Sequence, residues 1–220
     1  SAEAMSTLVN RHSIDPQWIT AIRNSLVFSE PSAKDTGSAL RAAHDATPGT
    51  TVLLSVAMFR PEKNQRELIE TVSDLPHGLD WQLWLAGEGP TLAACKRIAS
   101  RQGPADRIKF LGWQRDPAPL YAAADIAVHA SASESLSNFL IEAQAQGLPC
   151  VAFDAQGISE CFIPDDTGSV IPREEYEAFV DAILRFARQD AGARAALAAR
   201  ARAFARERFD PERQARSFLD

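Results

Sequence analysis

The chain reads as an α/β protein built on a doubly wound parallel sheet. Three observations lead there. From Thr51 onward, short apolar runs alternate with longer stretches whose apolar residues recur at helical spacing. The runs are nearly continuous rather than alternating, as in strands covered on both faces. The segments that follow them carry basic residues, glycines and carboxylates, and in an open sheet the carboxyl ends of the strands form the ligand-binding rim.

The elements follow in order. TVLLSVAMF (residues 51–59) is the first strand, and Leu68, Ile69, Val72 and Leu75 mark the helix after it. WQLWLAG (81–87) is the second strand, and Pro90 opens the next helix where a proline is tolerated. RIKFLG (107–112) is the third, with a short helix after Pro119. Residues 125–129 form the fourth, PCVAF (149–153) the fifth and SVI (169–171) a short sixth. Phe179, Ile183, Leu184 and Phe186 then mark one helix, and Leu197, Ala201 and Phe204 another. Pro211 interrupts the pattern before a short terminal helix, residues 210–220. Near the start, Trp18 to Ile22 reads as a strand with a turn at Asn24 and Ser25, and a short helix is expected around Leu40. Residues 1–48 hold too little apolar material for a domain, so they are expected to be the end of one domain plus a linker. The main domain is expected at 49–209.

Composition narrows the function classes. The chain has 220 residues, 45% of them hydrophobic, which suffices for one packed core. A net charge of −6 gives no basis for a nucleic-acid partner. Cys95, Cys150 and Cys161 lack metal-ligand spacing and read as reduced thiols of a cytoplasmic protein; no metal is expected. No apolar run approaches the roughly 18 residues of a membrane span, and the first ten residues do not read as a signal peptide. Membrane contact would be peripheral. Arg194, Arg200, Arg202, Arg206 and Arg208 lie in an Ala/Arg-rich helix, which suits a solvated face or an anionic surface.

The most informative stretch is SASESLSNFLIEAQAQG, residues 131–147, in which seven residues separate Glu134 from Glu142. A helix starting near Ser137 puts Glu134 in the loop before it and Glu142 in its second turn. Both carboxylates then flank a helix N-terminus, whose free N–H groups favour an anion. Phosphate plus sugar suits that arrangement. A second reading stands beside it: Ser131 and Glu134 match a capping box, and Glu142 suits a solvated helix face.

The order FRPEKN, LAGEGP, FLGW, AAADIAVHASASESLSNFLIEAQAQGLPCVAFD, GISE and DDTG closely resembles family 4 of the retaining glycosyltransferases with the GT-B fold. The likeness runs from about Trp18 to the C-terminus and corresponds to the Rossmann-like, donor-binding C-terminal half of that fold. It implies a nucleotide-sugar donor, UDP- or GDP-linked, as substrate and no cofactor. Lys63 in PEKN matches the lysine that holds the diphosphate. The arginine that partners it in the family falls on Met58, with Ala57 before it, and Arg60 is the substitute expected. Glu142 matches the carboxylate that accepts the ribose hydroxyls. Glu134 matches the one beside the donor sugar.

Ser135, Leu136, Ser137 and Asn138 replace the family's frequent Gly-Phe-Gly-Leu, and their N–H groups would meet sugar and phosphates. Gly87 and Gly89 would let backbone approach the ligand. Phe110, Leu111 and Gly112 match the region framing the base, though Phe110 and Leu111 suit strand core equally. Glu160 matches a supporting acidic residue. His129 reads as a packed strand-end residue, His44 as exposed, and Trp81, Trp84 and Trp113 as core or rim packing.

The resemblance implies transfer of a hexosyl or N-acetylhexosaminyl group to a glycan or lipid-linked acceptor at the inner face of a membrane. The acceptor domain is expected in a missing N-terminal half or a partner chain, so this chain alone is expected to bind donor with little transfer. A non-catalytic nucleotide-sugar-binding module and an epimerase-like protein of the same fold are the alternatives.

Overall fold

The computed structural model describes residues 2–12, 15, 25–26, 34–102 and 105–217. Six strands form one fully parallel sheet: β1 (Thr51–Val56), β2 (Trp81–Ala86), β3 (Ile108–Gly112), β4 (Ile126–His129), β5 (Cys150–Phe153) and β6 (Gly168–Ile171). Their spatial order is β3-β2-β1-β4-β5-β6. This is the doubly wound Rossmann order, in which the winding reverses between β1 and β4. The six strands expected from Thr51 onward are all present, each one to three residues shorter or displaced by one at an end.

The helices are α1 (Ala2–His12), α2 (Lys34–Ala43), α3 (Gln65–Val72), α4 (Leu92–Gln102), α5 (Ala118–Ala123), α6 (Asn138–Gln146), α7 (Tyr176–Ala187), α8 (Ala191–Arg208) and α9 (Pro211–Ser217). Successive strand residues point to opposite faces, and the core divides accordingly. Leu53, Leu83, Leu85, Val128 and Val151 pack with Ile69, Phe179 and Ile183 on one face. Val52, Leu54, Trp84 and Ala127 pack with Leu120, Tyr121, Phe139 and Leu140 on the other. Each fully buried side chain of this size contributes about 1.5–3 kcal/mol of hydrophobic stabilisation.

Two expectations for the N-terminal part meet the structure differently. The helix around Leu40 is α2, which packs against α5, and Leu40 and Ala46 join the core on that face of the sheet. An added Cβ at Gly37 would lie 2.5 Å from the Ala122 carbonyl oxygen, so only glycine allows α2 to sit this close to α5. Arg41 donates to the carbonyls of Ala123 (2.8 Å) and Thr47 (2.9 Å) and to Asp125 Oδ2 (3.1 Å), and Asp125 also accepts from the Val52 N–H (2.8 Å). One guanidinium thereby joins α2 and the turn before β1 to the start of β4. The helix α1 escaped sequence reading. The expected strand Trp18 to Ile22 lies outside the described residues.

Candidate functional site

At the β1/β4 reversal the chain goes on from the two strands to helices on opposite faces of the sheet, α3 and α6, and in open sheets of this kind ligands bind in the crevice at that point. Pro61–Lys63 after β1 forms a single 3-10 turn, closed by Asn64 in the left-handed region at φ 54°. The loop after β4, residues 130–137, runs alongside. The two are joined directly: the Ser131 hydroxyl and the Ala132 N–H both donate to the Glu62 carbonyl, at 3.0 and 2.8 Å. Ser131 therefore bridges loops and does not cap a helix with Glu134, which removes the capping-box reading.

This junction brings Lys63 and Glu134 together. The Lys63 ammonium donates to Glu134 Oε1, and His129 Nε2 lies 3.1 Å from the same oxygen. An ionised carboxylate only accepts, so Nε2 carries the hydrogen. Burial alone would raise the Glu134 carboxyl, but the hydrogen bonds from His129 and Lys63 outweigh it and hold it down at about 2. Among the described residues Oε2 accepts no hydrogen bond. His129 is packed at the strand end as expected, with its ring 6.0 Å from that of Phe139. Its bond to Glu134 was not foreseen, since strand-end packing and carboxylate binding leave the same trace in a sequence.

Helix α6 begins as the sequence indicates, with Ser137 in the extended N-cap position at φ −87°. None of Ser135, Leu136, Ser137 and Asn138 has a positive φ, so the serines stand in the glycine positions without strain. Ser135 and Asn138 face solvent, whereas Leu136 and Ser137 are buried. The Ser137 N–H donates to Cys161 Sγ at 3.4 Å. Burial pushes the Cys161 thiol up to about 12 even so, which keeps it a neutral acceptor. The first turn of α6 follows directly.

Glu142 lies in the second turn of α6 and is half-buried rather than solvated. The Tyr121 hydroxyl donates to its Oε2 at 2.5 Å. Burial raises the Glu142 carboxyl, and the Tyr121 bond counters part of that. Burial and the neighbouring Glu142 charge push Tyr121 well up, so it remains a donor. Tyr121 also stacks on Phe139 (6.1 Å between centroids). No local pattern links residues 121 and 142, and the pair is visible only once α5 and α6 pack.

On the β1 side, Phe59 is buried, while Met58 and Arg60 on either side are 52% exposed. The Arg60 N–H donates to the Met58 carbonyl at 2.9 Å, so the chain makes a tight three-residue turn centred on Phe59. The nearest carboxylate to the Arg60 guanidinium is Glu62, at 4.0 Å. The glycines of GEG make their close approach to protein backbone: an added Cβ would lie 2.0 Å from the Ala57 oxygen at Gly87 and 2.4 Å from the Phe59 oxygen at Gly89. The Phe59 N–H donates to the Glu88 carbonyl at 2.9 Å and the Gly87 N–H to that of Gly112 at 2.7 Å. The loops after β1, β2 and β3 are thus locked together. Phe110 packs half-buried against Phe59 (6.1 Å), and Leu111 joins the core of the opposite face. Trp81 and Trp84 are core, but Trp113, next to Gly112, is 66% exposed on the rim.

A further brace comes from beyond β6. Arg173 donates to Glu67 Oε2 (2.6 Å) and to the Ser131 carbonyl (3.3 Å), tying α3 to the Glu134 loop. Glu160 sits on the turn Ile158–Glu160 after β5. A separate cavity of about 360 Å³, lined by Thr51, Ile126, Leu148, Phe186 and Leu197 among others, lies at the opposite edge of the sheet, away from these groups.

A sequence profile described as "Glycosyl transferases group 1" matches residues 38–205. The chain belongs to this family. The match begins inside α2, in keeping with the packing of that helix on α5. Among curated group 1 relatives, the chain is 34% identical over 143 residues to the lipopolysaccharide core biosynthesis glycosyltransferase LpsE of Rhizobium meliloti (strain 1021), covering 65% of this chain and 41% of that one. It is 29% identical over 129 residues to N-acetyl-alpha-D-glucosaminyl L-malate synthase of Bacillus anthracis, covering 59% and 34%. The matched part is thus less than half the length of either relative.

Among solved structures, Anabaena HepE in complex with UDP superimposes with a TM-score of 0.85 at 22% identity over all of this chain and 61% of that one. WaaG, a glycosyltransferase involved in lipopolysaccharide biosynthesis, gives 0.79 at 21% identity over 91% and 55%. At such identities these likenesses establish the fold, a group 1 glycosyltransferase sheet with helices on both faces. Among the described residues no helix is long and apolar enough to cross a membrane.

Proposed function

We propose that this chain is the donor-binding domain of a retaining glycosyltransferase of family 4, taking a UDP- or GDP-linked sugar in the β1/β4 crevice. The observation that carries the reading is the meeting of Lys63 and Glu134. They are 71 residues apart in sequence and join at the topological reversal of the sheet. A cation and a carboxylate at that place suit a diphosphate attached to a polyhydroxyl sugar.

In this reading Lys63 and Arg60 take the diphosphate, together with first-turn N–H groups of α6 beyond Ser137, whose own N–H is held by Cys161. Glu134 holds sugar hydroxyls through Oε2, aided by backbone at Ser135 and Leu136. Glu142 takes the ribose hydroxyls. Gly87, Gly89, Phe110 and Leu111 shape the wall beside the base. Charge that develops on the leaving diphosphate is then met by preplaced cations and dipoles, which lowers the barrier more than it tightens ground-state binding. The leaving phosphate takes the acceptor proton. The acceptor, a glycan or lipid-linked sugar at the cytoplasmic face of a membrane, is held by a second domain or partner chain.

Calorimetric titration of the chain with UDP, GDP and ADP, then the matching nucleotide sugars, tests this. Saturable binding of one nucleotide, lost in Glu142→Ala, is expected; undiminished binding in that variant refutes the ribose assignment. Met58, exposed where the family carries its arginine, favours a second reading, a nucleotide-sugar-binding module without transfer. A Met58→Arg variant separates the two by creating or raising transfer once an acceptor domain is supplied.

A further inference from the structure

Lys63 and His129 share a single oxygen, Glu134 Oε1. The two donors differ in freedom. The Lys63 side chain is 25% exposed, on a flexible four-carbon stem, and borders the crevice. The His129 side chain is 3% exposed, held by β4 and the Phe139 ring. The backbone around Lys63 is fixed as well: its N–H donates to the Arg60 carbonyl at 3.0 Å, and Glu62 is bonded to Ser131 and Ala132. Only the end of the lysine can move.

An arriving diphosphate competes with Glu134 for that ammonium. If Lys63 were the sole donor, its departure would strand a largely buried carboxylate, which is costly. A second, immobile N–H on the same oxygen removes that cost and keeps the carboxylate aimed. We propose that Lys63 passes from Glu134 to the diphosphate when the donor binds, and that His129 is the positioning residue that holds Glu134 through the exchange. In the exchange the Lys63 Nζ to Oε1 contact breaks, a contact from Nζ to a phosphate oxygen forms, and the His129 Nε2–H to Oε1 bond persists; no proton is transferred. This rests on the reading of the crevice as a donor site.

The consequence is unusual for a binding-site carboxylate: its removal should help one part of the ligand. Titration of the chain with UDP, GDP and inorganic pyrophosphate tests this, using wild type, Glu134→Gln, His129→Leu, His129→Gln and the double variant His129→Leu with Glu134→Gln. Glu134→Gln is expected to bind the diphosphate about tenfold tighter, because Lys63 no longer leaves a charged partner. His129→Leu is expected to bind it about tenfold weaker, and His129→Gln, which keeps an N–H, to recover most of the loss. In the Glu134→Gln background His129→Leu should cost nothing further.

An equal loss from His129→Leu in both backgrounds would assign His129 a purely packing role and overturn the proposal. So would unchanged or weaker diphosphate binding by Glu134→Gln. Should His129→Leu not fold, the His129 Nε2–H signal in a ¹H–¹⁵N spectrum decides: it persists at saturating UDP if the proposal holds, and its disappearance refutes it. Absence of any nucleotide or pyrophosphate binding by wild type is a different failure, one that removes the donor-site reading itself and this exchange with it.

Discussion

Acid should cost the wild-type chain more stability than it costs Glu134→Gln. Lys63 and His129 hold the Glu134 carboxyl at about 2, against an ordinary 4.5, in spite of burial. A carboxyl that binds its proton more weakly when folded stabilises the fold wherever it is ionised in both states. That contribution is whole above about 4.5 and fades as the pH falls from there toward 2. Each tenfold in proton affinity is about 1.4 kcal/mol, so the full difference amounts to at most about 3 kcal/mol. Solvent reaches the lysine end of the pair, and screening brings the expected contribution to about 1–2 kcal/mol. Urea denaturation at pH 6, 5, 4 and 3 measures it. Wild type should exceed Glu134→Gln by that amount at pH 6, and more than half of the excess should be gone by pH 3. A gap that stays constant over this range would mean that Glu134 titrates alike in the folded and unfolded chain, and the electrostatic account of the cluster would fall.

Three further outcomes follow from named contacts. Gly87→Ala places a Cβ 2.0 Å from the Ala57 oxygen at φ 137° and should cost about 2–4 kcal/mol by urea denaturation, whereas Gly112→Ala, with open space around its Cβ position, should cost about 1; equal losses would refute the role given to the β1–β2 loop contact. Tyr121→Phe keeps the ring on Phe139 but removes the bond to Glu142, so it should cost about 2 kcal/mol and raise the Glu142 carboxyl further, as read by NMR titration. Cys95, Cys150 and Cys161 are buried and burial pushes all three thiols up, so a thiol reagent at pH 8 should react slowly with folded protein and fast in denaturant; rapid reaction of any one in the folded chain would contradict its placement.

How legible each part was depended on whether its cause was local. The strands were readable because a strand covered on both faces needs an unbroken apolar run, and TVLLSV and WQLWLA are such runs. The start of α6 was readable because serine suits the cap and the apolar pattern begins next to it. Glu134 and Glu142 could be picked out by spacing and context, but what they touch could not. Tyr121 and His129 reach them through the packing of α5, α6 and β4, and a sequence carries no periodic trace of such contacts. The GEG glycines show the same limit. Sequence suggested a close approach of backbone to a ligand, while the structure shows an approach to the backbone of Ala57 and Phe59. The role of α2 was hidden because one arginine and one glycine, not an apolar run, fasten it to α5.

The departure at Met58 is best understood through the loop that carries it. Phe59 is pinned from three sides: its side chain is buried, its N–H donates to the Glu88 carbonyl, and its carbonyl accepts from the Thr91 N–H at 3.1 Å. The Arg60 N–H donates to the Met58 carbonyl at 2.9 Å, so the chain turns tightly about the fixed Phe59 and leaves both neighbours exposed. Positions 58 and 60 are thus the two exposed ends of one tight turn about a buried residue. Arg60 is extended, at φ −121° and ψ 157°, just ahead of the turn that presents Lys63. In the donor-site reading, Arg60 at the far end of this turn supplies the guanidinium that the family resemblance expects at Met58, with the Phe59 anchor unchanged between them. Arg60→Ala should then weaken diphosphate binding in the chain as it stands and lose most of that effect once Met58→Arg is introduced, which makes the double-mutant cycle between positions 58 and 60 the direct test of the substitution.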